Sequence, residues 1–250
     1  LAEDNETNQM VAQGLLKASG YQVDTVISGR EALQALEKTD YDLVLMDVQM
    51  PEMDGLEASR CIRDPASRVQ NRNVPIFAMT AHAIKGYREK CLEAGMNNYV
   101  TKPVDSQQLI MAIDQKLLKT AAVNKKGPET PADNQALFDL PDLIKRLRGE
   151  EELINCIFKS FQERTPALIA ELQAAVSRQD AKEVKRMAHT IKGSSATVSA
   201  PALATLAQTI EITAEKNQLE QCPALINELI ETFRKTIAAL PEEYSEQTPE

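Results

Sequence analysis

The sequence predicts two domains of different class, an α/β domain followed by a bundle of helices. Residues 1–119 alternate short apolar runs with amphipathic stretches, the pattern of a parallel sheet covered by helices. From Phe138 onward the apolar residues recur at helical spacing, as on the buried face of an α-helix. A polar segment with Lys and Pro residues separates the two patterns and is expected to be a flexible linker, at residues 120–137. A chain of 250 residues is long enough to give each domain its own core.

The first domain is expected to contain a parallel sheet of five strands. Four strands are predicted from apolar runs, at residues 22–27, 42–46, 75–79 and 98–101. Helical spacing is found at residues 8–18, 31–36, 55–62, 84–94 and 106–118. A fifth strand must precede the first of these helices, where only Leu1 and Ala2 stand before two acidic residues. We therefore expect this chain to begin inside its first strand.

The second domain is expected to be an antiparallel bundle of four helices over residues 138–241. A short helix at 138–148 would close one end, and the apolar stripe of the first long helix contains Pro166, where a kink is expected. Capping and proline residues mark the later helix boundaries, namely Asp180, Ser199, Pro201, Pro223 and Pro241. Residues 242–250 are expected to form a frayed tail.

Residue spacing excludes several kinds of site. The nine glycines are never closer than six positions apart, so neither a GxxxxGK[ST] nor a GxGxxG phosphate loop is present. The four cysteines lie at least thirty positions apart, which excludes a CxxC metal or redox pair and gives no reason to propose disulfides.

The charge and hydropathy of the chain also limit its partners. The net charge of −9 disfavours long-range attraction to nucleic acid or to an anionic membrane. The longest stretch without a charged residue, 193–210, is interrupted by polar residues and so does not read as a membrane span. Residues 1–10 lack the layout of a signal peptide. We therefore expect a cytoplasmic location, even if a longer parent protein is anchored in the inner membrane.

Acidic and polar residues follow the predicted strands at one edge of the sheet, where ligands of parallel sheets bind. These residues are Glu3, Asp4, Asp47, Thr80 and Lys102. Three carboxylates favour a Mg²⁺ ion that keeps several waters and contacts a phosphoryl group. Asp47 would accept that group as an acyl phosphate. Mg²⁺ and Lys102 would neutralise charge on the transferring oxygens, and Thr80 would donate a hydrogen bond to one of them.

These residues resemble the receiver domain of two-component response regulators over about 1–119. The motifs that carry the resemblance are Glu3-Asp4-Asn5, Leu45-Met46-Asp47-Val48-Gln49-Met50-Pro51, Met53-Asp54-Gly55, Met79-Thr80-Ala81 and Tyr99-Val100-Thr101-Lys102-Pro103. The resemblance implies a flavodoxin-like (βα)5 fold with Asp47 as phospho-acceptor. It implies Mg²⁺ ligation by Glu3, Asp4 and Asp47, a switch pair of Thr80 and Tyr99, and a cis Lys102–Pro103 peptide bond.

The pattern A-H-x-I-K-G occurs twice, at 81–86 and at 188–193, and helical geometry distinguishes the copies. On its predicted helix His189 lies about 150° from the centre of the apolar face, so we expect it to face solvent. By contrast, His82 is interpreted as a surface residue in the loop after the fourth strand.

Three cations lie within one helical turn of His189, namely Lys185, Arg186 and Lys192. They would favour a neutral imidazole with an available lone pair and then stabilise a phosphoryl group on it. Gly193 would leave room for another protein to approach.

Residues 187–195 resemble the signature of the histidine-containing phosphotransfer (Hpt) domain, a four-helix bundle that would cover about 138–240. The resemblance implies His189 as phosphocarrier, supported by Lys192 and Gly193. A receiver followed by an Hpt domain resembles the C-terminal part of a hybrid sensor histidine kinase. The implied partners are a histidine kinase domain, in cis upstream or in trans, and a downstream response regulator receiver.

The favoured function is phosphorelay signalling, with phosphoryl transfer between Asp47 and His189 and to or from partner regulators. An alternative is that the two domains serve separate external partners without intramolecular transfer. A phosphatase of the haloacid dehalogenase type is disfavoured, because its D-x-D motif is absent after Asp47. The retained site residues also argue against a docking module with an inactive receiver. No ATP-binding domain is expected in this chain, so its status as an enzyme stays open, and the short first strand favours an excised fragment over a stand-alone adaptor.

Overall fold

The structure, a computed structural model, describes residues 1–80, 85–117, 137–241 and 244. The chain divides into two compact units, Leu1–Lys126 and Gly127–Glu250. Most of the linker at 120–137 and of the tail at 242–250 lies outside the described residues. The limits of the two domains at residues 119, 138 and 241 therefore remain predictions.

A parallel sheet forms the centre of the N-terminal unit. Its three strands are neighbours in the order β1 (Val44–Asp47), β2 (Ile76–Thr80) and β3 (Asn98–Thr101). Ala2 extends the sheet through parallel bridges to Met46 on one side and to Val26 on the other. The resulting order is that of the flavodoxin-like fold, in which the first strand lies between the second and the third. The predicted fold class is confirmed, although the first two strands are reduced to these bridges.

Five helices follow or precede the strands in the order that the sequence predicts. They are α1 (Glu6–Ala18), α2 (Gly29–Lys38), α3 (Gly55–Arg63), α4 (Lys85–Glu93) and α5 (Ser106–Leu117). The first three begin at polar caps, because the side chains of Asn5, Ser28 and Asp54 each accept a backbone N–H of the first turn. All residues of β1 and β2 are buried, as expected for strands of a parallel sheet covered on both faces.

The C-terminal unit is a helical bundle. Its helices are α6 (Leu140–Arg146), α7 (Glu151–Ser177), α8 (Ala181–Thr197), α9 (Pro201–Glu215) and α10 (Cys222–Ala238). Helix α7 continues through Pro166, and α8 begins at the predicted cap, where Asp180 Oδ1 accepts the backbone N–H of Glu183 at 3.1 Å. Helix α8 packs against α7 and α9. Among the described helices, none combines the length and apolar character needed to cross a membrane.

A buried arginine of α6 holds the turn between α8 and α9. Arg146 Nη2 donates to Thr197 O at 2.9 Å and to Ser199 Oγ at 2.7 Å, and its Nε donates to Asp142 Oδ2 at 2.8 Å. Ser199 has a positive φ of 55° and donates through Oγ to the same Asp142 oxygen at 2.8 Å. The short helix predicted at 138–148 therefore fastens the C-terminal end of the helix that contains His189.

Candidate functional site

Three carboxylates meet at the C-terminal edge of the sheet in the N-terminal unit. Glu3 and Asp4 directly follow Ala2, which bridges to the chain on either side, and Asp47 ends β1. One oxygen of each carboxylate lies within 4.8 Å of the others. Glu3 and Asp47 are buried and Asp4 is half-buried. The backbone places these side chains together, because Asp47 N donates to Ala2 O at 2.8 Å. Hard oxygen ligands of this kind are those that Mg²⁺ prefers.

Lys102 lies between two of these carboxylates. Its Nζ is 2.7 Å from Asp47 Oδ2 and 2.5 Å from Glu3 Oε2. Burial lowers the pKa of Lys102, but the charges of Asp47 and Glu3 outweigh burial and raise that pKa, so the ammonium stays charged. Burial, and then the charge of Asp47, hold the pKa of Glu3 well above its usual range. Glu3 and Asp47 thus share one lysine, and without further positive charge the site disfavours ionisation of Glu3.

The chemistry of the three acids indicates that the site fits a cation. Glu3 Oε2 is buried, and the positive charge that reaches it is that of Lys102, which Glu3 shares with Asp47. Carboxylates this close to one another repel unless positive charge compensates them. The donor set of Glu3, Asp4 and Asp47 therefore suits a divalent metal ion.

The other residues predicted at this edge differ in their exposure. Thr80 ends β2 next to Asp47 and is buried. Tyr99 of β3 pairs with Ala78 and is 38% exposed, so it lies two positions before Thr80 in the register, on the surface. The Lys102–Pro103 peptide bond is cis, as the resemblance predicts.

Gly55 allows α3 to begin directly against β1. Its N–H donates to Val48 O at 3.0 Å, and a Cβ built on Gly55 would lie only 2.0 Å from Asp47 O. No real Cβ contact is that short, so only glycine permits this approach. The glycine after Asp54 therefore sets the distance between α3 and the backbone of Asp47.

The second candidate site lies on α8, where His189 contacts α9. His189 Nδ1 is 2.9 Å from Glu211 Oε1. An ionised carboxylate can only accept a hydrogen bond, so Nδ1 donates here, and in the neutral ring Nε2 then carries the lone pair. The His189 side chain is 18% exposed, less than the helical geometry predicts, because Glu211 on the neighbouring helix contacts one edge of the ring. His82, in the first copy of the hexapeptide, lies outside the described residues.

Glu211 contacts Lys192 as well as His189. Lys192 Nζ donates a hydrogen bond to Glu211 Oε2, and both side chains are nearly buried. Burial alone would raise the pKa of Glu211, but hydrogen bonds and charge from His189 and Lys192 outweigh burial and lower that pKa to about 2. Glu211 therefore stays ionised at neutral pH and can hold both partners.

The two other cations predicted around His189 are paired with carboxylates. Lys185 Nζ lies 3.0 Å from Glu215 Oε1, and Arg186 Nη2 lies 2.6 Å from Glu183 Oε1. The net charge around the His189 imidazole is therefore closer to zero than the three basic residues alone would give. Gly193 lies half-buried on α8, one turn beyond the histidine.

Family models match both units of the chain. A response regulator receiver domain matches residues 1–114, and an Hpt domain matches residues 157–243. The chain joins a receiver domain to an Hpt domain. Domains of these two kinds are components of phosphorelay signal transduction, and the chain is a part of such a two-component system.

Two relatives that align with both domains are hybrid sensor kinases. The aerobic respiration control sensor protein ArcB of Escherichia coli (strain K12) is 31% identical over 84% of this chain and 27% of ArcB. Sensor protein GacS of Pseudomonas syringae pv. syringae is 29% identical over 86% of this chain and 24% of GacS. The chain thus spans about a quarter of the length of these relatives.

A solved receiver domain is similar to the N-terminal half alone. It belongs to the sensor histidine kinase PA1611 of Pseudomonas aeruginosa PAO1 and holds a coordinated magnesium ion in its active-site cleft. It is 41% identical, covers 48% of this chain and 94% of its own, and superposes with a TM-score of 0.42.

Glu211 of the Hpt domain is a site residue that the sequence motifs do not indicate. It lies four positions after Ala207 and three before Ala214, and both alanines are buried. An acidic residue at core spacing needs a partner, and this signal identifies Glu211 without the structure. Its partners on α8 cannot be deduced from spacing, because they depend on how α8 and α9 pack.

Proposed function

We propose that the chain passes phosphoryl groups between Asp47 of the receiver domain and His189 of the Hpt domain, and to or from partner receivers. The observation that carries the proposal is the pair of prepared acceptor groups. One is a carboxylate beside Lys102 and two further acids. The other is an imidazole whose Nδ1 faces Glu211, which leaves Nε2 as the nucleophile.

In the receiver domain Asp47 attacks the phosphorus of a phosphohistidine through a carboxylate oxygen. The new O–P bond forms as the N–P bond breaks, and the imidazole recovers the electron pair, so the step uses no ATP. Lys102, 2.7 Å from Asp47, compensates negative charge on the transferring oxygens, and Thr80 is near enough in register to donate to one of them. Glu3, Asp4 and Asp47 would hold Mg²⁺, which supplies further charge neutralisation when bound.

In the Hpt domain Glu211 holds the proton on His189 Nδ1 throughout the transfer. Phosphorylation of Nε2 makes the ring cationic, and the ionised Glu211 favours that cation. Lys192 keeps Glu211 in place from the other side. The same carboxylate therefore fixes the tautomer before transfer and stabilises the product after it.

The proposed partners are a histidine kinase domain, in the same polypeptide or another, and a downstream receiver. Hybrid sensor kinases align with both domains, which supports this arrangement. We propose that both domains work in the cytoplasm. The alternative, separate external partners for each domain, predicts the same phosphorylated residues but no exchange between them within one chain.

Labelling of three proteins tests the proposal: the wild type, Asp47→Ala and His189→Gln. Each is incubated with a kinase, and separately with a phosphorylated receiver, with Mg²⁺ or with a chelator. We expect Asp47→Ala to block input from the kinase while His189 is still labelled from the receiver. Acid-labile label marks phosphohistidine and base-labile label marks the acyl phosphate. Label on a chain that carries both substitutions, or label on His82, contradicts the proposal.

A mixing experiment separates the two arrangements. If transfer is intramolecular, the wild type exchanges label between its sites at a rate independent of protein concentration. A mixture of Asp47→Ala and His189→Gln chains then exchanges label only at a rate that rises with concentration. If the exchange rate rises with concentration equally in the wild type and in the mixture, the result favours separate external partners.

A further inference from the structure

Helix α1 holds the head group of Glu3. Asn8 Nδ2 donates to Glu3 Oε1 at 2.9 Å, and both residues are buried. Gln9 Nε2 contacts Glu3 O on the backbone of the same residue. The side chain and the backbone of Glu3 are therefore each tied to one residue of the first turns of α1.

The position of Asn8 leaves its amide available for this contact. Asn8 is the third residue of α1, and Asn5 Oδ1 accepts the backbone N–H of Asn8 at 3.2 Å. In many helices the side chain at this position reaches back to the backbone of the capping residue. Here the side chain of Asn5 makes the cap, and the Asn8 side chain reaches two residues further back, to Glu3.

The two oxygens of Glu3 then differ in what they contact. Oε1 accepts the hydrogen bond from Asn8, whereas Oε2 contacts the ammonium of Lys102. A glutamate has three rotatable side-chain bonds, so its carboxylate needs such a contact to keep one orientation. An amide provides it without adding charge, and so does not compete with a cation as a second lysine would.

We propose that Asn8 is a positioning residue of the receiver's cation site, holding Glu3 Oε1 so that the carboxylate keeps the orientation in which it lies beside Asp4 and Asp47. The proposal rests on the proposed Mg²⁺ site of Glu3, Asp4 and Asp47. Contacts that orient a metal ligand from behind commonly change metal affinity by 10-fold or more. Removal of the Asn8 amide is therefore expected to weaken Mg²⁺ binding about 10-fold, without removing a ligand.

Titration of the full chain with Mg²⁺ tests the proposal. The chain has no Trp, so binding is followed by NMR peaks of backbone amides at the sheet edge. Asn8→Leu, and Asn8→Ala in case the larger side chain does not fit, are compared with the wild type. Asn5→Ala is the matched control: it removes the α1 cap and lowers stability by about 1 kcal/mol but keeps the amide that faces Glu3.

The Glu3→Gln background distinguishes positioning from a general loss of structure. If Asn8 acts through Glu3, its removal leaves the residual Mg²⁺ affinity of Glu3→Gln unchanged. An equal loss in both backgrounds, or an equal loss with Asn5→Ala, overturns the proposal. Wild-type Mg²⁺ affinity in both Asn8 variants also overturns the role of Asn8, but it leaves the proposed metal site unaffected. A wild type that shows no saturable Mg²⁺ response refutes the metal site and the role of Asn8 with it.

Discussion

The contacts of ionised Glu211 with His189 and Lys192 should stabilise the Hpt domain and be lost on acidification. The variant Glu211→Gln lacks the ionised carboxylate at every pH. The folded-state pKa of Glu211 is about 2, against 4.5 in an unfolded chain. A lowered pKa favours the folded state above pH 4.5, and that stabilisation is lost as the pH falls from about 4.5 to about 2. The pKa difference corresponds to about 3 kcal/mol. We therefore expect the gap in unfolding free energy between wild type and Glu211→Gln to shrink by about 3 kcal/mol between pH 5 and pH 2.

Urea denaturation measures this gap when NMR peaks of α8 and α9 amides report on the Hpt domain alone. Glu215→Gln is the control, because the Glu215 side chain is 62% exposed and its pair with Lys185 contributes little. That variant should follow the wild type at every pH. If wild type and Glu211→Gln lose stability in parallel from pH 5 to pH 2, the ionised Glu211 is not what holds α9 to α8.

Two further substitutions test the receiver domain. Lys102→Met leaves buried Glu3 and Asp47 without their common cation, so we expect the urea-unfolding free energy to fall by about 3 kcal/mol at pH 7, with partial recovery in Mg²⁺. A loss below about 1 kcal/mol would contradict this view. Gly55→Ala forces a Cβ against Asp47 O and should cost about 3 kcal/mol in the same assay. Gly20→Ala, with a positive φ but open space around it, should cost only about 1 kcal/mol.

The fold class followed from the sequence because its signals are local and repeated. Continuous apolar runs predicted β1 and β2, and both are buried throughout. Capping chemistry predicted the start of α8 at Asp180 to the residue. The strand predicted at 22–27 pairs only through a bridge at Val26, because pairing also depends on the neighbouring segment, of which Ala2 meets Val26.

The candidate sites were predictable where the residues lie at strand ends and less so where helices pack. Glu3, Asp4 and Asp47 meet because parallel strands share an edge, which the sequence order alone implies. The contact between His189 and Glu211 depends on the rotation of α8 against α9, which a single helical wheel does not contain. The amide of Asn8 is likewise visible only once α1 is placed against the sheet.

Ala2 lies in the middle of the sheet, with neighbours on both sides, and the first two acids come directly after it. Loss of residues 1–4 would therefore take away a central strand and two carboxylates together. Architecture and chemistry would fail at once, so a receiver domain without these residues would not persist as a folded but inactive form.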